Sequence, residues 1–136
     1  MSKKVNHIAV IVDDIEKALL PYEKLLGLIP TKIEYVASYN VHIAFLPIGD
    51  TQIELVQPLG EEGELVDFLR ETGGGLHHIA LEVDDIQETI TNMQKGGIPM
   101  KDTIPRPGAH GSTVAFAKND GFNGVTIEFV QPKINE

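Results

Sequence analysis

Apolar residues recur at every second position through VNHIAVIV (5–12), and the same rhythm returns through LHHIALEV (76–83). A period of two predicts strands, in which successive side chains point to opposite faces. Each strand runs into Asp-Asp-Ile and then a stretch with helical spacing. In DDIEKALLPYEKLLG (13–27), Asp13 and Asp14 are helix-start residues, and Ile15, Ala18, Leu19, Tyr22, Leu25 and Leu26 form one apolar stripe. Pro21 lies inside that stripe and removes a backbone hydrogen bond, so the helix is expected to bend there. In DDIQETITNMQKGG (84–97), Ile86, Ile90 and Met93 share a face and Gly96–Gly97 form the stop. A third helix is predicted in GEEGELVDFLRETGGG (60–75), with an acidic start, a stripe of Leu65, Phe68 and Leu69, and a triple-glycine end.

These patterns are two copies of one text. HIAVIVDDIEKA (7–18) and HIALEVDDIQET (78–89) are identical at seven of twelve positions, at an offset of 71. IPTK (29–32) then parallels IPMK (98–101), IAF (43–45) parallels VAF (114–116), and QIELVQP (52–58) parallels TIEFVQP (126–132). The matches keep their order, which predicts a duplicated module, 5–58 and 76–132, joined by 59–75. Each copy reads strand, helix, then two or three strands. Neither could bury its sheet well alone. The expected fold is α+β: two tandem βαβββ modules sharing one curved, partly open eight-stranded sheet, within a single domain spanning 1–136.

Composition narrows the function. With 136 residues, 42% hydrophobic and 23% charged, this is the make-up of a soluble globular protein, and no apolar run approaches a membrane span. The opening MSKKVNHIAVIVDD has only a short apolar run, interrupted by His7, and no small-residue cleavage site, so a signal peptide is not expected and the cytoplasm is the default compartment. A net charge of -9 with no basic run argues against nucleic acid and requires a local device to hold any anionic substrate. The absence of cysteine removes disulfides, thiolate metal sites and Cys nucleophiles.

Strand parity then sorts the candidate chemistry. In the first strand His7 lies with Ala9 and Ile11, opposite Ile8, Val10 and Val12; in its copy His78 lies with Ala80 and Glu82, opposite His77, Ile79 and Leu81. The Ile8/Val10 and Ile79/Leu81 faces suit a helix cover, which turns His7 and His78 to the other side. By the same argument Ile53 and Leu55 meet one helix and Ile127 and Phe129 the other, leaving Glu54 beside His7 and Glu128 beside His78. A strand histidine is ordinarily a packed core residue. A carboxylate in an apolar strand is different, because burying it unpaired costs several kcal/mol. No Lys or Arg stands on a neighbouring same-face position of those strands to pair with it. Two imidazoles and two carboxylates balance one divalent cation, and such a set suits Zn, Co, Ni or Mn better than Ca or Mg.

The order His7, Glu54, His78, Glu128 in paired βαβββ modules resembles the vicinal oxygen chelate superfamily over nearly the whole chain. Within it, GLHHIALEVDDI, the loop GAHGSTVAF and the ending GFNGVTIEFVQP look most like the methylmalonyl-CoA epimerases. Glyoxalase I shares the four-ligand plan, and drug-sequestering members of the fold, which usually lack the quartet, represent a non-catalytic class.

The resemblance implies one divalent transition metal per chain, zinc or cobalt before nickel or manganese. It also implies an acyl-CoA thioester substrate, a homodimer, and an epimerisation through an enolate. Epimerisation needs a proton-transfer group on each face of the carbon. The resemblance makes Glu128 one of them, a ligand that is also a base. Where certain bacterial epimerases carry a glutamate for the other face, this chain offers His42 in NVHIAF, which has two readings: the second acid/base or a cavity-lining side chain. His77 reads as structural and His110 as an exposed loop residue. Lys101 and Arg106 stand as candidates for coenzyme A phosphates beside the plain reading of exposed basic residues, and Gly73–Gly75 read as a helix stop.

Overall fold

The computed structural model describes residues 4–133. Contacts divide the chain into two compact units, one of His7–His77 and one of His78 onward, with which the start of the first strand groups. Both are α+β, and both follow the order strand, helix, three strands. In the first unit these are β1 (Val5–Ile11), α1 (Ile15–Leu20), β2 (Ile33–Val36), β3 (Val41–Ile48) and β4 (Thr51–Pro58), followed by α2 (Glu64–Thr72). In the second they are β5 (Gly75–Glu82), α3 (Ile86–Lys95), β6 (Arg106–Pro107), β7 (Thr113–Ala117) and β8 (Thr126–Gln131). The strand order is β2-β3-β4-β1 in one and β5-β8-β7-β6 in the other, with β1 parallel to β4 and β5 parallel to β8.

The helix starts repeat down to single hydrogen bonds. The Asp14 side chain accepts the amides of Glu16 and Lys17, and the Asp85 side chain accepts that of Glu88. One amide in each first turn is taken by a strand instead. Ile15 N donates to Gln57 Oε1 at 2.9 Å, and Ile86 N donates to Gln131 Oε1 at 2.9 Å. An uncapped helix leaves four such donors, so these glutamines tie each helix to the end of the strand beneath it.

Pro21 has a larger effect than a bend. Residues Pro21–Leu25 form a π-helical turn, because proline cannot donate to the carbonyl four residues back. The expected stripe therefore stops early. Ile15 and Leu19 are buried against Ala44, Leu46 and Leu55, with Ala18 and Tyr22 packed alongside, but Leu25 is 81% exposed and Leu26 66%. The second helix has no proline, and its stripe holds: Ile86 and Ile90 are buried with Ala115, Ala117, Ile127 and Phe129, and Met93 packs against them.

The linking helix α2 buries Val66 and ends at Gly73 in the left-handed conformation, φ 79°, where Gly73 N donates to Leu69 O. At Gly74 the fit is tighter. Its φ is +103°, and a Cβ would lie 2.7 Å from the carbonyl oxygen of Ile11, so the glycine lets the chain pass close to the end of β1.

Candidate functional site

Register fixes the two faces of the first unit's sheet. Ala9 pairs with Glu54, and Glu54 pairs with Phe45, so His7, Ala9, Glu54, Phe45 and Ile43 share a face. Leu55, Ala44 and Leu46 belong to the other, which α1 covers. The second unit repeats this, with Ala80 opposite Glu128 and Glu128 opposite Phe116. His78, Glu128 and Phe116 thus look away from α3.

Each unit closes a histidine–carboxylate pair on that face. His7 Nδ1 lies 3.1 Å from Glu54 Oε2, and His78 Nε2 lies 3.0 Å from Glu128 Oε1. His7, Glu54 and Glu128 are 7%, 6% and 7% exposed, the buried polar or charged residues of the described chain. Burial deprives these carboxylates of much of the solvation that a charged group needs. A divalent cation satisfies such donors. His7 and His78 can each offer a metal ring nitrogen and Glu128 a carboxylate oxygen. Glu54 offers the same kind of oxygen, and Gln52 Nε2 donates to its Oε2 at 3.2 Å.

Aromatic rings flank both pairs, a feature absent from the parity argument. Phe116 meets His78 edge-on with centroids 5.2 Å apart, and Lys101 Nζ and Arg106 Cζ lie 5.8 and 5.6 Å from its ring centre. Lys32 stands 6.0 Å from the centre of the Phe45 ring. Phe45 and Phe116, with Lys32 and Lys101, were visible as paired letters in IAF/VAF and IPTK/IPMK, so the repeat itself carried the signal. Arg106 is also held by Asp102 at 3.3 Å, whose Oδ2 accepts the amide of Phe116. Lys101 is exposed and Arg106 half-buried, both within reach of the flanking ring.

His42 does not join them. It pairs with Gln57 across β3–β4 and with Tyr35 across β2–β3, on the face of Ala44 and Leu46. Its ring packs edge-on to Tyr35, centroids 5.8 Å apart. The expectation that it points into the site with His7 is corrected. The register to β4 puts Phe45 and Ile43, not His42, on the Glu54 face. His77 packs edge-on to Phe68 of α2, centroids 4.9 Å apart, as its structural reading required. His110 is exposed at the tip between β6 and β7 with φ +56°, a conformation in which Asn, Asp and His are enriched among non-glycine residues.

The chain matches the family model of the Glyoxalase/Bleomycin resistance protein/Dioxygenase superfamily over residues 6–116. It belongs to that superfamily. It is 33% identical over 129 residues to the human mitochondrial methylmalonyl-CoA epimerase, covering 94% of this chain and 73% of the human one. With the ethylmalonyl-CoA/methylmalonyl-CoA epimerase of Cereibacter sphaeroides it shares 34% identity over 133 residues, covering 96% and 99%. Among solved structures, a serine-to-threonine variant of the Streptomyces coelicolor methylmalonyl-CoA epimerase, in complex with 2-nitronate-propionyl-CoA, superposes with a TM-score of 0.93. That likeness has 24% identity and covers 100% of this chain and 99% of the other, and it shows the shared fold. The family expected from the sequence motifs is the family found.

Proposed function

We propose that this protein is a methylmalonyl-CoA epimerase that holds one divalent transition metal through His7, Glu54, His78 and Glu128. The observation that carries the reading is the doubled pair: the same His–Glu contact, at 3.1 and 3.0 Å, on the face of each sheet turned away from α1 and α3. Relatives that are themselves epimerases, matched over almost the full length of this chain, support the substrate class. Zinc or cobalt suits two nitrogens and two oxygens in a chain without cysteine.

The bound metal would supply positive charge where negative charge develops as the carbon beside the thioester loses its proton. The chain's own residues do the rest. Glu128 takes the proton, and Phe45 and Phe116 supply apolar walls beside the two carboxylates. Lys101 and Arg106, within reach of Phe116, offer local positive charge in a chain of net charge -9. The group that returns the proton on the opposite face is to be sought on the His7/Glu54 face, since His42 lies on the other.

The finer setting is proposed in the same terms. Leu25, Leu26 and Ile29 are 81%, 66% and 74% exposed, an apolar edge that fits a homodimer. A cysteine-free chain suits the cytoplasm, and no helix among the described residues is long and apolar enough to cross a membrane.

Deuterium wash-in at the α-carbon of methylmalonyl-CoA, with zinc or cobalt restored, tests the proposal. Exchange is expected. Its absence, with lactoylglutathione formed from methylglyoxal and glutathione, would transfer the chain to the glyoxalase I reaction.

A further inference from the structure

The two halves of the proposed metal site are not built alike. In β4, Gln52 lies two residues before Glu54 and therefore on the same face. Its amide Nε2 donates to Glu54 Oε2 at 3.2 Å, the oxygen that also lies 3.1 Å from His7 Nδ1. QIELVQP and TIEFVQP align Gln52 with Thr126, so the second unit carries a short hydroxyl side chain where the first carries a long amide. The matched Gln57 and Gln131 show that nearby glutamines are kept where both units use them in the same way. Gln52 is thus the polar departure between strands that otherwise differ only in Leu55 against Phe129.

We infer that Gln52 is a positioning residue for Glu54, fixing the orientation of this one carboxylate so that it acts as a permanent metal ligand. A carboxylate has about four lone-pair directions. The Gln52 amide donates to Oε2, the oxygen beside His7 Nδ1, and so restrains the rotation of this carboxylate. Hydrogen bonds of this kind to a ligand change metal affinity by roughly 10–100-fold. The division of labour follows from the sequence difference. Glu54 is held by an amide that cannot titrate, while the carboxylate given the proton-transfer role, Glu128, stands in the unit without that amide.

The inference rests on the reading of Glu54 as a ligand, and a double-mutant cycle separates the two. Cobalt affinity is measured by chelator competition for the wild type, Gln52→Leu, Glu54→Gln and the double variant, with Gln52→Thr as a second replacement borrowed from the other unit. Thermal melts without metal report folding. The expected result is an affinity lower by about tenfold or more for Gln52→Leu and Gln52→Thr, with no further loss when Gln52→Leu is added to Glu54→Gln. A cobalt affinity within twofold of wild type for both Gln52 variants, while Glu54→Gln is clearly weakened, overturns the inference alone. Equal losses from Gln52→Leu in both backgrounds overturn it too, since a merely structural role gives that pattern. Undiminished binding by Glu54→Gln overturns the ligand reading and the inference together.

Discussion

His42 lies directly across the β3–β4 ladder from Gln57, the residue whose Oε1 accepts the first amide of α1. That relationship places the imidazole on the helix side of the sheet, against Tyr35, and away from Glu54. His42→Ala should therefore leave α-proton exchange within about threefold of wild type, because it removes no group able to reach the carbon, whereas loss of a general acid or base costs roughly 10²–10⁴-fold. Single-turnover deuterium exchange decides it. A fall of a hundredfold, with normal metal content, would restore His42 to the chemistry.

The same residue marks how far the sequence could be read. Alternation within one strand divides residues into two sets, and where helices follow, as after β1 and β5, it also says which set faces them. This is why His7 and His78 could be sorted with no structure, and the apolar Ile53/Leu55 and Ile127/Phe129 then sorted Glu54 and Glu128. β3 has no helix directly after it, and its run from Val41 to Leu46 is almost wholly buried on both faces, so parity alone could not orient it. Pairing register carries that information, and it depends on contacts remote in sequence. Leu25 and Leu26 failed differently. Their spacing is helical, but Pro21 converts the backbone to a π turn, after which 3.6-residue geometry no longer predicts the buried side. Gln57 and Gln131 were legible in the repeated VQP, yet a polar residue at a strand end announces no partner until the helix start is placed beside it.

Removing either partner of a His–Glu pair should remove metal before it removes the fold. For His78→Ala and for Glu54→Gln, cobalt affinity is expected to fall by at least about tenfold, since the first deletes a proposed ligand and the second removes the negative charge of another. Glu128→Gln should differ in kind. An amide oxygen can still reach a cation but cannot accept the proton, so exchange should drop by about a hundredfold or more even at saturating metal. Metal analysis after dialysis, paired with exchange rates at high metal, checks both. Retention of metal by His78→Ala and Glu54→Gln alike would refute the four-residue site.

Metal should also be visible as stability. A ligand that binds only the folded chain, supplied at about 100 times its dissociation constant, adds about 2.7 kcal/mol. For a chain of 136 residues this is a rise of roughly 10 °C in the melting temperature. The buried carboxylates give the physical reason: burial strips Glu54 and Glu128 of solvent, and a cation compensates them only in the folded chain. Differential scanning calorimetry with and without a chelator measures it. Melting curves that coincide would contradict binding to the folded state.

The strand-to-helix ties offer a test that leaves the chemistry untouched. Gln57→Leu removes the acceptor of Ile15 N, and Gln131→Leu that of Ile86 N, each at 2.9 Å in the structure. Both amides belong to buried residues at a first helical turn, so losing the acceptor should cost about 1–2 kcal/mol in each variant. The two bonds occupy matching places in separate units and share no partner, so their effects should add within about 0.5 kcal/mol. Urea unfolding of the metal-free single and double variants gives the three numbers. A double variant no less stable than either single one would show that these glutamines do not anchor α1 and α3 independently.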